Sequence, residues 1–259
     1  AFASHLAFGA PPHHWLDWCA GKGHLGRRLL QPGQQLTCLE YDAELVAAGQ
    51  ALRTHHHLPA QHLHQDVMAP DSTRHLHSDT SVVALHACGD LHVRLLRLAS
   101  EQGCRQLAVA PCCYNRIATP SYQALSTAAR ASSLHLSLDD LSLPLSETVT
   151  AGARVRRQRD TSMARRLGFD LLQRQQHGVD EYLPTPSLPV AWLSKPFEQY
   201  CRDLAALKHV PIHGELDWVA LEAAGWQRLA EVRNLERIRN LFRRPLKLCL
   251  VLDRALYLA

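Results

Sequence analysis

Between residues 13 and 117 short apolar runs alternate with stretches of helical period, the pattern of a parallel sheet with helices on its faces. The runs predict five strands: His14 to Cys19, Leu36 to Glu40, Gln61 to Gln65, Ser81 to His86 and Gln106 to Ala110. Helices are expected between them, over 25–30, 43–53 and 91–100, the first stopped by Pro32-Gly33. Each strand ends in polar or special residues, on the edge where open α/β sheets bind ligands. After Asn115 the pattern changes. Helical pieces separated by proline-containing loops run from 121 to 215, with one helix over 152–175 and another after Ser194 whose Phe197, Cys201, Leu204 and Leu207 recur near one turn. Residues 217–259 also read as helix, broken near Pro245. The expected division is 1–120 for a cofactor-binding core, 121–215 for a helical substrate-side insertion and 216–259 for a helical segment packing on the core.

Composition adds bounds rather than a new picture. Hydrophobic residues make up 46% and charged residues 20%, enough for a sizeable core. No uninterrupted apolar run reaches the roughly 18 residues of a membrane span. The start, Ala-Phe-Ala-Ser-His-Leu, lacks the basic and long apolar regions of a signal peptide and also lacks a methionine; the chain is expected to be cytoplasmic, and a fragment or processed form. Eight cysteines without a C-x-x-C pair read as reduced thiols, not as a disulfide scaffold. His55, His56, His57, His62 and His64 recur without a carboxylate or cysteine at one-turn spacing, so no metal is expected. A net charge of +4 permits a nucleic-acid partner without demanding one.

Candidate chemistry centres on Trp15-Leu-Asp-Trp-Cys-Ala-Gly-Lys-Gly-His-Leu-Gly26, where three glycines are spaced G-x-G-x-x-G. Asp17 precedes them at a strand end, placed to receive a ligand's ammonium group. A dinucleotide turn has no need of that acid, because pyrophosphate wants backbone N–H groups. S-adenosylmethionine (SAM) carries an ammonium, a carboxylate and a ribose, and Gly21 and Gly23 let the backbone approach it. Glu40, at the end of the second strand, stands where a carboxylate grips a ribose diol. Lys22 does not make a phosphate loop, since no Ser or Thr follows it.

Three further stretches keep alternatives open. In Cys112-Cys113-Tyr114-Asn115, Tyr114 stacks on a flat acceptor that Asn115 positions, or Cys112 is a thiolate nucleophile, or the sulfurs merely fill a strand end. His86 and Asp90 are a proton acceptor and its helper, or Asp90 is a helix N-cap. Arg154, Arg156, Arg157, Arg159, Arg165, Arg166 and Arg174 on one helix hold an RNA backbone, or form a solvated face with structural ion pairs.

Asp-x-Cys-Ala-Gly-Lys-Gly-His-Leu-Gly (17–26), His-Ala-Cys-Gly-Asp-Leu (86–91) and Cys-Cys-Tyr (112–114), in this order, resemble a class I SAM-dependent methyltransferase family. It includes methyltransferase-like proteins and the eukaryotic enzyme that 2′-O-methylates tRNA. Arg-Val-Arg-Arg-Gln-Arg (154–159), Gly-Phe-Asp-Leu-Leu-Gln-Arg (168–174) and Leu-Asp-Arg-Ala-Leu-Tyr-Leu (252–258) resemble the methyltransferase-like members. The resemblance implies an α/β fold, a Rossmann-like parallel sheet of about five strands with helices on both faces, plus a mainly helical C-terminal half. The hairpin that closes a complete sheet of this class is not legible after residue 120. It also implies that Asp17, Gly21 and Gly23 contact the methionine and ribose moieties, that Glu40 with neighbouring Tyr41 takes the ribose, and that Asp66 and Val67 meet the adenine. His86 to Asp90 would lie under the methyl group. Cys113, Tyr114, Arg154, Arg156 and Arg157 are the expected substrate contacts. The expected activity is methyl transfer from SAM to RNA, ahead of a protein or small-molecule acceptor, with no membrane partner; the alternative is a catalytically silent module of the same fold that binds RNA or protein.

Overall fold

The computed structural model describes residues 2–6, 8–145 and 152–259. Five strands, β1 (His14–Trp18), β2 (Gln35–Glu40), β3 (Ala60–His64), β4 (Thr80–Leu85) and β5 (Gln106–Ala110), pair in parallel in the order β3-β2-β1-β4-β5. The chain winds outward from β1 to β3, then returns to place β4 on the other side of β1. The switch point therefore lies between β1 and β4. The fold is α/β and Rossmann-like, as expected. Among the described residues no strand extends the sheet further, and the isolated bridge Ser121–Ser137 is antiparallel.

Strand alternation sorts the side chains into two cores. Leu16, Trp18, Leu39, Val82 and Ala84 face one side, where they pack with Leu95 and Leu98. Trp15, Leu36, Cys38, Ala60 and Val83 face the other. Burial on both faces is why β1 and β4 read as nearly continuous apolar runs. Asp17 lies in register with Cys38 and Val83 and shares their buried face. Helices α1 (His24–Leu29), α2 (Ala43–His55) and α3 (Asp90–Glu101) connect the strands. Asp42 caps α2 by accepting from the Glu44 and Leu45 amides.

Beyond β5 come two short helices, α4 (Thr127–Arg130) and α5 (Leu138–Ser142), and three longer ones, α6 (Ala153–His177), α7 (Phe197–Lys208) and α8 (Trp218–Leu258). The chain forms two compact units, Ala1–Ser146 with Arg243–Ala259, and Glu147–Phe242. The expected break at Pro245 does not occur: α8 continues through it, and Leu246 and Leu250 just beyond are buried with Tyr114, Leu136 and Leu141. Burial there offsets the backbone hydrogen bond that proline cannot make. In the second unit, Phe169 and Leu172 of α6 pack against Phe197, Tyr200, Cys201 and Leu204 of α7. The backbones of α6 and α8 meet at Gly168 and Gly225, where an added side chain on Gly225 would overlap the Ala164 carbonyl.

Candidate active site at the carboxyl edge of the sheet

The glycine-rich loop after β1 is bracketed by the two carboxylates. At its far end Asp17 Oδ2 accepts from the Gly26 amide at 2.8 Å, and at its near end Glu40 Oε2 accepts from the Gly21 amide at 2.8 Å. Glu40 Oε1 also receives the Asp42 amide at 2.9 Å, so one side chain ties β2's end to two loops. Asp17 is only 2% exposed. Burial drives its carboxyl up to about 7; the Gly26 hydrogen bond and Arg27 pull the other way, and Glu40 adds to the rise.

The glycines divide the labour. Gly21 has φ +55° with open space where a side chain would stand, so a ligand can come close to the backbone there. A side chain at Gly23, φ +71°, would run into His62 and Cys38, so that glycine serves packing. Gly26 likewise makes room for Leu36. Two non-glycine residues, Cys19 (φ 56°) and His86 (φ 66°), also adopt the left-handed conformation, just past the ends of the two central strands. Such strain collects at ligand sites.

Next to the loop lies a hollow of about 370 Å³ lined by Cys19, Leu39, Glu40, Tyr41, Gln65, Asp66, Val67, Met68 and Leu91. That is within the range of small-molecule pockets. Its floor is braced: Arg94 donates to the Val67 and Ala69 carbonyls, and Ser72 Oγ to Val67. Asp66 is exposed, with Oδ1 accepting from the Met68 amide at 2.8 Å. Tyr41 is 69% exposed on the rim, its carbonyl 2.7 Å from His64 Nε2.

The structure therefore brings Glu40, Tyr41, Asp66 and Val67 together around one hollow, with Gly21 tied to Glu40. Asp17, buried beneath the loop, and Gly23, within it, do not line that hollow. His86, exposed, and Cys112, Cys113 and Asn115, partly buried, occupy the loops after β4 and β5, and Asp90, partly buried, is the first residue of α3. Arg154, Arg156 and Arg157 belong to the other unit.

Three readings need correction. Tyr114 offers no platform for an acceptor: it is 3% exposed, has the Arg254 guanidinium 4.8 Å over its ring and meets His92 edge-on. Asp90 is not an N-cap. Gly89 holds that position, and the Asp90 carboxylate accepts from the Ala118 amide at 2.7 Å. Cys112 is a poor nucleophile, because burial and the hydrogen bonds it shares with Cys88 and Cys113 push its thiol up to about 12. Cys88 moves the opposite way: hydrogen bonds from Cys112 and Cys113 outweigh its burial and lower it.

Sequence reasoning missed Cys88 as a partner of Cys112, and it missed the network built by α8. Asp253 accepts from Tyr122 Oη, from the Leu125 and Ser126 amides and from Ser126 Oγ. Burial raises its carboxyl, but these donors outweigh it and hold the group low. Arg254 Nε donates to His92 Nε2 at 2.8 Å; burial and this guanidinium drive His92 down to about 3, so the ring is neutral and accepts. The Leu-Asp-Arg stretch was the available signal.

Residues 5–120, spanning all five strands and their ligand-edge loops, match the family model of a methyltransferase domain. The matched residues cover less than half of the chain, and their sheet order is that of a Rossmann-like α/β domain. No curated protein sequence matches the chain. Among solved structures, TehB from Haemophilus influenzae is 14% identical over 35% of this chain and 32% of its own, with a TM-score of 0.30. The plantazolicin methyltransferase BpumL, solved in complex with SAH, is 19% identical over 39% and 37%, TM-score 0.29. The cyclopropane synthase MmaA2 from Mycobacterium tuberculosis is 14% identical over 96% and 75%, TM-score 0.30. The alignment thus spans about a third of the first of these.

Proposed function

We propose that the protein is a SAM-dependent methyltransferase acting on RNA. The observation that carries the cofactor reading is Glu40, which lines the hollow and simultaneously holds the glycine loop by Gly21. A carboxylate has lone pairs beyond the two used here, and those accept the ribose hydroxyls. Asp17, buried beneath the glycine loop with its carboxyl pushed up to about 7, acts through that loop: the ammonium of SAM bound above it favours the charged form. The exposed oxygen of Asp66 takes the adenine amino group, with Val67 against the ring.

Bound SAM supplies a methyl group on a cationic sulfur, open to in-line displacement. The chain's own part is to align the acceptor and to receive a proton. We assign that role to the His86 imidazole, exposed on the loop after β4. Asp90 fixes the adjoining loop through Ala118 and acts by positioning.

RNA as acceptor rests on the first half of α6. Arg154, Arg156, Arg157 and Arg159 are exposed there. The ion pairs that α6 makes lie further along, at Asp160–Arg233, Arg165–Glu222 and Arg174 with Asp170 and Asp180. Exposed arginines suit phosphates without reading bases.

Calorimetry with SAM and with NAD, followed by transfer of radiolabelled methyl from SAM into cell-derived RNA and protein, tests both parts. Heat with SAM alone and label in RNA are expected. NAD heat without SAM heat overturns the cofactor assignment, and label confined to protein overturns the acceptor. SAM binding with no label in either pool favours the silent module.

A further inference from the structure

The loops after β4 and β5 bring three sulfurs into one cluster. Cys88 Sγ lies 2.8 Å from Cys112 Sγ, which lies 3.4 Å from Cys113 Sγ, and all three fall within 4.8 Å of one another. Each of the three cysteines is only partly buried. Sulfurs that merely fill a core would face apolar neighbours; these face each other.

Backbone bonds, not the thiols, hold them there. The His86 amide donates to Ala110 at 3.1 Å, Gly89 to Cys113 at 2.8 Å and Asp90 to Arg116 at 3.1 Å, while the Ala118 amide closes onto the Asp90 carboxylate. Gly89, at φ +55°, lies so close to the Arg116 carbonyl that any side chain would overlap it. The two loops are a seam whose register puts Cys88 opposite the Cys112-Cys113 pair. The donor set is preassembled, all sulfur, with no histidine or carboxylate in the cluster.

We propose that Cys88, Cys112 and Cys113 bind a zinc ion as thiolates, leaving its fourth position open on the solvent side. Thiolate donors select thiophilic ions such as zinc. With Zn–S bonds of about 2.3 Å, tetrahedral sulfurs sit about 3.8 Å apart, so the Cys88–Cys112 pair opens by about 1 Å and the Cys112–Cys113 pair by about 0.4 Å on binding. Three protein ligands and one vacant position are the arrangement of reactive zinc sites, as opposed to closed structural ones. Binding converts three thiols to thiolates and releases up to three protons to solvent. The site stands independently of methyl transfer, because its test needs no turnover.

The reduced protein, stripped by chelator and reloaded with zinc, should retain about one ion per chain after gel filtration by elemental analysis. Cobalt substitution should give the sulfur-to-metal charge-transfer absorption of thiolate ligation. Cys88→Ser and Cys112→Ser should each weaken zinc binding at least tenfold, with the far-ultraviolet circular dichroism unchanged. Zinc loading should also remove three thiols from reaction with a disulfide reagent. Failure to retain zinc, or retention that both serine variants leave intact, overturns the assignment. Should the serine variants misfold, the cobalt spectrum and thiol count of the parent protein decide it: absence of the charge-transfer band with all thiols still reactive refutes the site.

Discussion

Two loops on the same edge of the sheet are held by opposite means. The glycine loop after β1 is bracketed by side chains, Asp17 at Gly26 and Glu40 at Gly21. The seam between the loops after β4 and β5 is held mostly by backbone pairing. A loop gripped by carboxylates takes its shape from protonation and nearby charge; a loop stitched mostly by amides and carbonyls keeps its shape whatever its side chains bind. The first is built to respond, the second to keep its side chains in place.

Breaking the seam should have the largest effect. Gly89→Ala combines overlap with the Arg116 carbonyl and left-handed strain, and should cost about 3–5 kcal/mol in chemical denaturation, with the thiol cluster lost. Gly21→Ala, at similar φ but in open space, should cost only about 1–2 kcal/mol. Similar losses for the two would erase the contrast.

Glu40→Ala strips the acceptor from two amides and, on the proposed reading, from the ribose, and should weaken SAM binding by about 1.5–3 kcal/mol in calorimetry. Unchanged affinity would remove Glu40 from the cofactor site.

The response to pH sharpens the difference between the loops. The folded-state pKa of Asp17 is raised, to about 7, so between its unfolded value and 7 the native state binds the extra proton. Its favourable contribution to ligand-free stability is present at the acidic end and is lost as pH rises through 7. SAM affinity should move the other way, increasing as the carboxylate forms, and Asp17→Asn should flatten that increase. A parent protein whose SAM affinity is level between pH 6 and pH 8 would exclude Asp17 as partner of the ammonium.

The smallest effect is expected from Arg154, Arg156 and Arg157 changed together to Glu. Stability and SAM affinity should hold, while the logarithmic salt dependence of RNA binding should fall by about 2, the release from three phosphate contacts on a single strand. An unaltered salt slope would leave these arginines a solvated face.

Strand positions were legible to within a residue or so because strands buried on both faces, such as β1 and β4, are written as apolar runs. Glu40, Asp66 and Val67 were legible as strand-end residues on the ligand edge. The burial of Tyr114 was not, since its cover comes from Arg254, far along the chain. Nor was the partnership of Cys88 with Cys112 and Cys113, which needs the β4–β5 register to be known. The helix through Pro245 was hidden for the same reason, because the contacts of Leu246 and Leu250 are remote in sequence.

The buried Arg254 has a bearing on how the protein is made. Tyr114, Tyr122 and His92 wait for a guanidinium that is translated more than a hundred residues after them. Until the 246–254 segment leaves the ribosome, the apolar cluster around Tyr114 lacks Leu246 and Leu250, and a fragment ending at residue 120 should emerge sticky and in need of chaperones.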